Sequence, residues 1–214
     1  MSAMRNIVAG LLLGSATMAQ AVTVQWASLT AQPNATTVTG TVAGVGLTYT
    51  GSVNFSQLNN TGFDFWVDRG YTQGVVNRPT GVDLISLNIA GLKTVTFAAP
   101  VKDVYLAFTS WNGNSPTFSA PFTVVSQGCG FWGCGTFNPN MAGTGFSTSQ
   151  EVHGVLKFSG NFTSLSFTDT SENWHGFTVG IGAVPEPQSW AMMIAGFGLV
   201  GATMRRRRSV TAVA

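Results

Sequence analysis

Hydrophobic and polar positions alternate in short runs along the middle of the chain, and between residues 22 and 183 no long helical period takes over. The period-2 stretches fall at 22–26, 37–50, 81–89, 94–97, 104–108, 122–125, 152–158, 165–168 and 177–181, and Val, Thr and Phe dominate them. Clusters such as Asn112-Gly113-Asn114-Ser115-Pro116 separate the runs with turn chemistry. Short strands spaced in this way predict an all-β domain over 22–183, a single β-sandwich of jelly-roll type, rather than a parallel α/β sheet. The threonines of Thr37-Val38-Thr39-Gly40-Thr41 alternate as in flat ice-binding arrays, but one short row without a repeat reads more simply as an exposed strand.

The two ends have other patterns. Residues 1–21 read as a secretory signal: Arg5 is the positive start, Ile7 to Leu13 the apolar stretch, and Ala19-Gln20-Ala21 the small-x-small cleavage site that leaves Val22 first. At the other end, 184–214 runs in a fixed order. Val184-Pro185-Glu186-Pro187 cannot continue a helix or a central strand, so it separates the C-terminal segment from the domain. An apolar transmembrane helix is expected at 189–204. Its apolar core of about 15 residues reaches only roughly 22 Å, against the usual ~30 Å of hydrocarbon. Arg205, Arg206, Arg207 and Arg208 then stay on the cytoplasmic side and leave the body outside the inner membrane. Gly196-Phe197-Gly198-Leu199-Val200-Gly201 matches G-x-G-x-x-G, but no strand precedes it and no acidic residue lies beyond it, so it is not read as a dinucleotide site.

Pro185, Glu186, Pro187, Trp190 and Ala191, the apolar run and the four arginines together closely resemble the PEP-CTERM sorting tail in its PEPxxWA form. The resemblance covers about 25 residues. It implies export across the inner membrane of a Gram-negative bacterium and transient anchoring there. It also implies processing by an exosortase and delivery to the cell surface or to an extracellular polysaccharide or biofilm matrix. It says nothing about the domain in front, because the same tail sits on many unrelated bodies.

Charge changes meaning once the ends are set apart. Only 8% of residues are charged and the whole chain carries +2, yet from Val22 to Val184 five basic residues face seven acidic ones, a net of −2. Nucleic acid is rejected as a partner, because the five cations are scattered rather than clustered. Cys129 and Cys134 bracket Gly130-Phe131-Trp132-Gly133, a spacing that permits a local disulfide in an oxidising compartment. The rival, half a zinc site, lacks a second cysteine pair and has His153 and His175 far off in sequence.

Three groups carry candidate chemistry. Asp64 and Asp68 share one side of an extended strand and suggest either a Ca²⁺ site, a glycosidase pair, or a solvated face paired to Arg69; the last is expected, since Ca²⁺ needs six to eight oxygens. Glu151 with His153, and Glu172 with His175, are neighbours without a nucleophile elbow or a zinc motif, so no catalytic residue is assigned. Trp111, Trp132 and Trp174 sit in turn-like contexts beside amide side chains, an arrangement that sugar-binding surfaces use, although ordinary core and corner packing is the reading to expect first. The expected function is therefore a non-enzymatic structural or interaction role in the matrix, with no resident cofactor. A carbohydrate-binding module is the first alternative and a β-sandwich glycan hydrolase or lyase the second.

Overall fold

The computed structural model describes residues 22–67, 69–75 and 77–183, together with 194, 196–198 and 201 near the C-terminus. Within them the chain forms β1 (Val24–Trp26), β2 (Ser28–Asn34), β3 (Thr37–Val42), β4 (Val45–Thr50), β5 (Phe55–Gln57), β6 (Leu84–Leu87) and the long β7 (Gly91–Asn112). Next come β8 (Thr117–Phe118), β9 (Thr123–Gly128), β10 (Thr136–Pro139), β11 (Phe146–Ser149), a second long strand β12 (Glu151–Asp169) and β13 (His175–Gly182). Every ladder between these strands is antiparallel. The all-β expectation holds, with the strands joined in a nearly closed sheet.

β7 and β12 form its spine, paired from Gly91↔Asp169 to Asn112↔Glu151. The first half of β7 takes β4, then β3 and β2, while β8 flanks β12 on the other side. The second half of β7 takes β13, which carries β6 and β1 on its other edge, and β9 flanks β12. Between these two arms the spine bends. Residues 98–100 have no partner on β12, and Asp103 (φ 53) and Gly160 (φ 128) adopt left-handed backbone, with the Gly160 N–H donated to Asp103 Oδ1 at 3.0 Å. Pro100 falls in the unpaired stretch, where its missing N–H takes nothing from the spine ladder.

The inner faces of the two arms meet in one core. Tyr49 of β4 packs on Phe177 of β13 at 5.7 Å, and Phe167 of β12 packs on Phe177 at 5.4 Å. A second apolar cluster, in which Trp66, Tyr71 and Val75 cover Leu84, Tyr105, Ala107 and Val155, seals the outer face of the second arm. That arm is therefore buried on both sides, and residues 104–111 of β7 and 175–180 of β13 are buried without alternation. The first arm alternates, as β3 does.

Several predicted runs merge or divide. The runs 94–97 and 104–108 are one strand, as are 152–158 and 165–168, because bulges interrupt the pattern without ending the pairing. The run 37–50 divides at Ala43 (φ 48) and Gly44 (φ 79), a two-residue hairpin turn with both residues left-handed. Residues 1–21 lie outside the described residues, as do Pro185, Glu186, Pro187, Trp190, Ala191 and the four arginines. Of 189–204 the five described residues, 194, 196–198 and 201, are helical and exposed, and among the described residues no helix is long and apolar enough to cross a membrane.

Candidate functional site

A pocket of about 430 Å³ opens at the end of the second arm, lined by Ser110, Asn112, Trp132, Glu151, Glu172, Asn173 and Trp174. A bulge near the end of β7 makes it. The register jumps from Phe108↔Gly154 to Trp111↔Val152, and Ser110 sits at φ 60. The extra residue lets Phe108 and Trp111, three apart, both point into the core with their rings 5.6 Å apart, while Ser110 and Asn112 line the pocket. Trp111 is accordingly not a surface ring. It is fully buried, stacks among Phe118, Phe146 and Phe167, and donates its indole N–H to the Gly176 carbonyl at 3.0 Å. Its assignment to glycan contact is corrected: in a turn-like sequence context the bulge turned it inward.

Trp132 and Trp174 do meet, with ring centroids 6.2 Å apart on the pocket wall. Cys129 and Cys134 are bonded, as the spacing suggested. Inside that ring Gly130 and Gly133 pair as an isolated bridge, with N–H to carbonyl distances of 2.9 and 3.3 Å, so Phe131 and Trp132 occupy the tip of a two-residue hairpin. The glycines and the disulfide hold two large rings in water where no core would hold them. Phe55, Phe63 and Phe65 continue the aromatic surface: Phe63 and Phe65 touch Phe131 at 4.9 and 5.8 Å, and Phe55 touches Trp174 at 5.9 Å. Four of these rings are 39–52% exposed, which singly would be unremarked but as a contiguous patch marks a contact surface.

In the same pocket, Asn112 bridges the two carboxylates. Its side-chain amide donates to Glu151 Oε1 at 3.1 Å and its backbone N–H to Glu172 Oε2 at 2.9 Å. Glu151 also accepts from Ser110 Oγ at 2.6 Å, and Glu172 from Asn114 at 2.7 Å. Beneath Glu172 lies a buried charge chain. His175 Nδ1 is 2.9 Å from Glu172, its Nε2 is 2.8 Å from Asp169, and Asp169 is ion-paired to Lys93. The Lys93 ammonium spends its three N–H groups on Asp169 and on the carbonyls of Ile89 and Gly91. Burial opposes a charge on His175, but the hydrogen bond to Asp169 and the Glu172 carboxylate outweigh it, and the pKa of His175 rises above the ordinary imidazole value.

His153, in contrast, is a structural imidazole. Its Nδ1 accepts the Ser110 N–H at 3.2 Å and lies 3.1 Å from Thr109 Oγ, so the neutral ring carries its proton on Nε2, which is buried without a partner among the described residues. Burial pushes its pKa down to about 4. Gly130 of the disulfide loop packs against this ring, and a Cβ there would clash with His153 Cγ and Nδ1. Gly130→Ala is therefore expected to lift the loop, lowering stability by about 1–3 kcal/mol and red-shifting tryptophan emission as Trp132 becomes more exposed. Denaturation and fluorescence of the variant check this, and wild-type values in both would contradict the packing described.

The remaining candidates are placed elsewhere. Asp64 is in a turn, not a strand, because its carboxylate accepts the Trp66 N–H at 2.9 Å and bends the chain there. Its cation is Arg78, whose Nη1 reaches both carboxylate oxygens at 3.0 and 2.8 Å; Asp68 and the Arg69 side chain, the other members of the expected pairing, lie outside what the structure describes. Among the described residues no group of three or more His, Cys, Asp or Glu is placed to hold a metal ion. Ser110, Asn112 and the phenylalanines of the aromatic surface were not legible as site residues; only Phe131, enclosed with Trp132 by the cysteines, carried a signal in the sequence.

Compared with known proteins, residues 183–208 match the family model described as the PEP-CTERM protein-sorting motif. No curated protein and no solved structure matches the chain. The chain thus carries the sorting tail that its terminal residues resemble. That motif marks an exported, membrane-passing precursor and implies an exosortase as its processing partner.

Proposed function

We propose that the protein is a non-enzymatic component of the cell surface or extracellular matrix whose ectodomain binds polysaccharide through the Trp132–Trp174 pocket. In this reading residues 1–21 are removed at export, 22–183 form the ectodomain as a jelly-roll-like sandwich, and 184–214 are the sorting tail. The helix 189–204 and the arginines hold the precursor in the inner membrane until the exosortase acts. The observation that carries the binding role is the pair of rings, 6.2 Å apart and nearly perpendicular at 79°, beside two carboxylates and two asparagines, an apolar corner flanked by hydrogen-bonding groups. Position supports it. His175, beside the pocket, and Gly182, next to the start of the tail, are the two ends of β13, about 23 Å apart at ~3.3 Å per residue. A body tethered by its tail thus carries the pocket at the far end from the tether.

Trp132→Ala and Trp174→Ala are each expected to weaken binding to an extracellular polysaccharide at least tenfold, read by affinity electrophoresis or calorimetry. Trp132 stands on an exposed loop, so its loss leaves the core intact, and undiminished binding by both variants would refute the assignment. One observation favours a glycan hydrolase or lyase as the second reading: Glu151 and Glu172, 21 positions apart in sequence, line one pocket. Release of reducing ends from a polysaccharide, abolished by Glu151→Gln, would establish it in place of the first.

A further inference from the structure

We propose that the pocket selects sugars bearing a free amine, as in an N-deacetylated hexosamine polymer, over neutral or uronic-acid sugars. This rests on the polysaccharide-binding reading and adds the chemical class of the ligand.

The electrostatics of the site lead there. Among the described side chains no Lys or Arg lines the pocket, so none of them would meet a uronate carboxylate with opposite charge. Four of the nearby ionisable groups pair off: Lys93 with Asp169, and His175 between Asp169 and Glu172. Glu151 is left over. It is half-buried on the pocket wall and makes no ion pair among the described residues, being held only by the neutral donors Ser110 and Asn112. Each of its oxygens accepts one of these bonds and keeps capacity for another, so the carboxylate is oriented but not saturated. A carboxylate held in this way lacks a cation. The two indoles of the same pocket supply the complementary half: they are nearly perpendicular at 79°, and an indole face attracts an ammonium through its quadrupole as well as stacking on a sugar ring. An amine on the sugar would therefore donate a charge-assisted hydrogen bond to Glu151 and lie beside an indole ring. An N-acetyl group would lose both gains, and a uronate would be repelled by Glu151.

The test uses the exported protein and four β-linked oligosaccharides of equal length: glucosamine, N-acetylglucosamine, glucose and a uronic acid. The glucosamine oligomer is expected to bind at least tenfold tighter than the N-acetylated or glucose oligomer, and the uronate weakest. Raising salt should weaken the glucosamine complex selectively. In Glu151→Gln the ratio of glucosamine to N-acetylglucosamine affinity should fall at least about threefold, the indole rings keeping the remainder, a readout that compares two ligands on the same folded variant. Equal or tighter binding of a neutral or uronate oligomer by the wild type would overturn the amine preference and leave the polysaccharide reading standing. Failure of all four oligomers and of intact polysaccharide to bind would overturn both.

Discussion

Asp169→Ala is expected to lower the stability of the ectodomain by about 3–5 kcal/mol, the range found when one member of a buried ion pair is removed. The side chains of Asp169, Lys93 and His175 are fully buried, and Asp169 is the hinge between the other two, with one oxygen on the lysine ammonium and the other on the imidazole. Without it the ammonium keeps two carbonyls but no counter-charge, and His175 keeps only Glu172. Loss of this size is a large share of the roughly 5–15 kcal/mol that typically separates folded from unfolded domains. Urea denaturation of wild type and variant measures it. The double variant Lys93→Met/Asp169→Leu should be less destabilised than Asp169→Ala, because it leaves no ammonium stranded. A stability for Asp169→Ala within about 0.5 kcal/mol of wild type, the ordinary range of a surface substitution, would show that the buried chain contributes nothing net. Since Glu172 is held from below by His175, the same variant should also disturb the pocket.

Acid should destabilise the protein by roughly 3 kcal/mol between pH 6.5 and 4 through His153 alone. In the unfolded chain the imidazole takes its proton near pH 6.5; in the folded protein burial holds it neutral down to about 4. Above pH 6.5 both states are neutral and the full contribution is present. As pH falls below 6.5 only the unfolded state binds the proton, so stability drops until the folded ring titrates as well. His153→Gln keeps an acceptor for the Ser110 N–H and removes the titration. The stability difference between wild type and this variant should therefore shrink from about pH 7 to pH 4, and a difference independent of pH would reject His153 as the cause. His175 has the opposite sign. Its raised pKa gives stability that is complete below pH 6.5 and lost as pH rises through the folded value, so the difference curve for His175→Gln should slope on the alkaline side.

The two histidines show where sequence reasoning reached its limit. Each is visible beside a glutamate, at Glu151-Val152-His153 and at Glu172-Asn173-Trp174-His175, and the two pairs look alike. In the structure one imidazole is neutral under the disulfide loop and the other belongs to a charged chain, because one faces a backbone N–H and the other two carboxylates. The partners of His175 include Asp169, whose own partner Lys93 is 76 positions away, a separation that no local pattern reports.

What the sequence determined by itself was whatever depends on neighbours along the chain. Period-2 alternation and turn residues sufficed for an all-β body, the close spacing of the two cysteines for the disulfide, and contiguous terminal residues for the sorting tail. Only the tertiary structure decided which polar and aromatic side chains share a pocket. The bulge at Thr109–Ser110 sends Trp111 into the core and leaves Asn112 at the pocket, and the bent spine of β7 and β12 folds the aromatic core together. Glu151 and Glu172 meet across Asn112, and Trp132 meets Trp174, through pairings between distant segments. Alternation along a strand encodes which side a residue takes; a bulge reverses that side with no mark in composition, and strand pairing between remote segments then sets who the neighbours are.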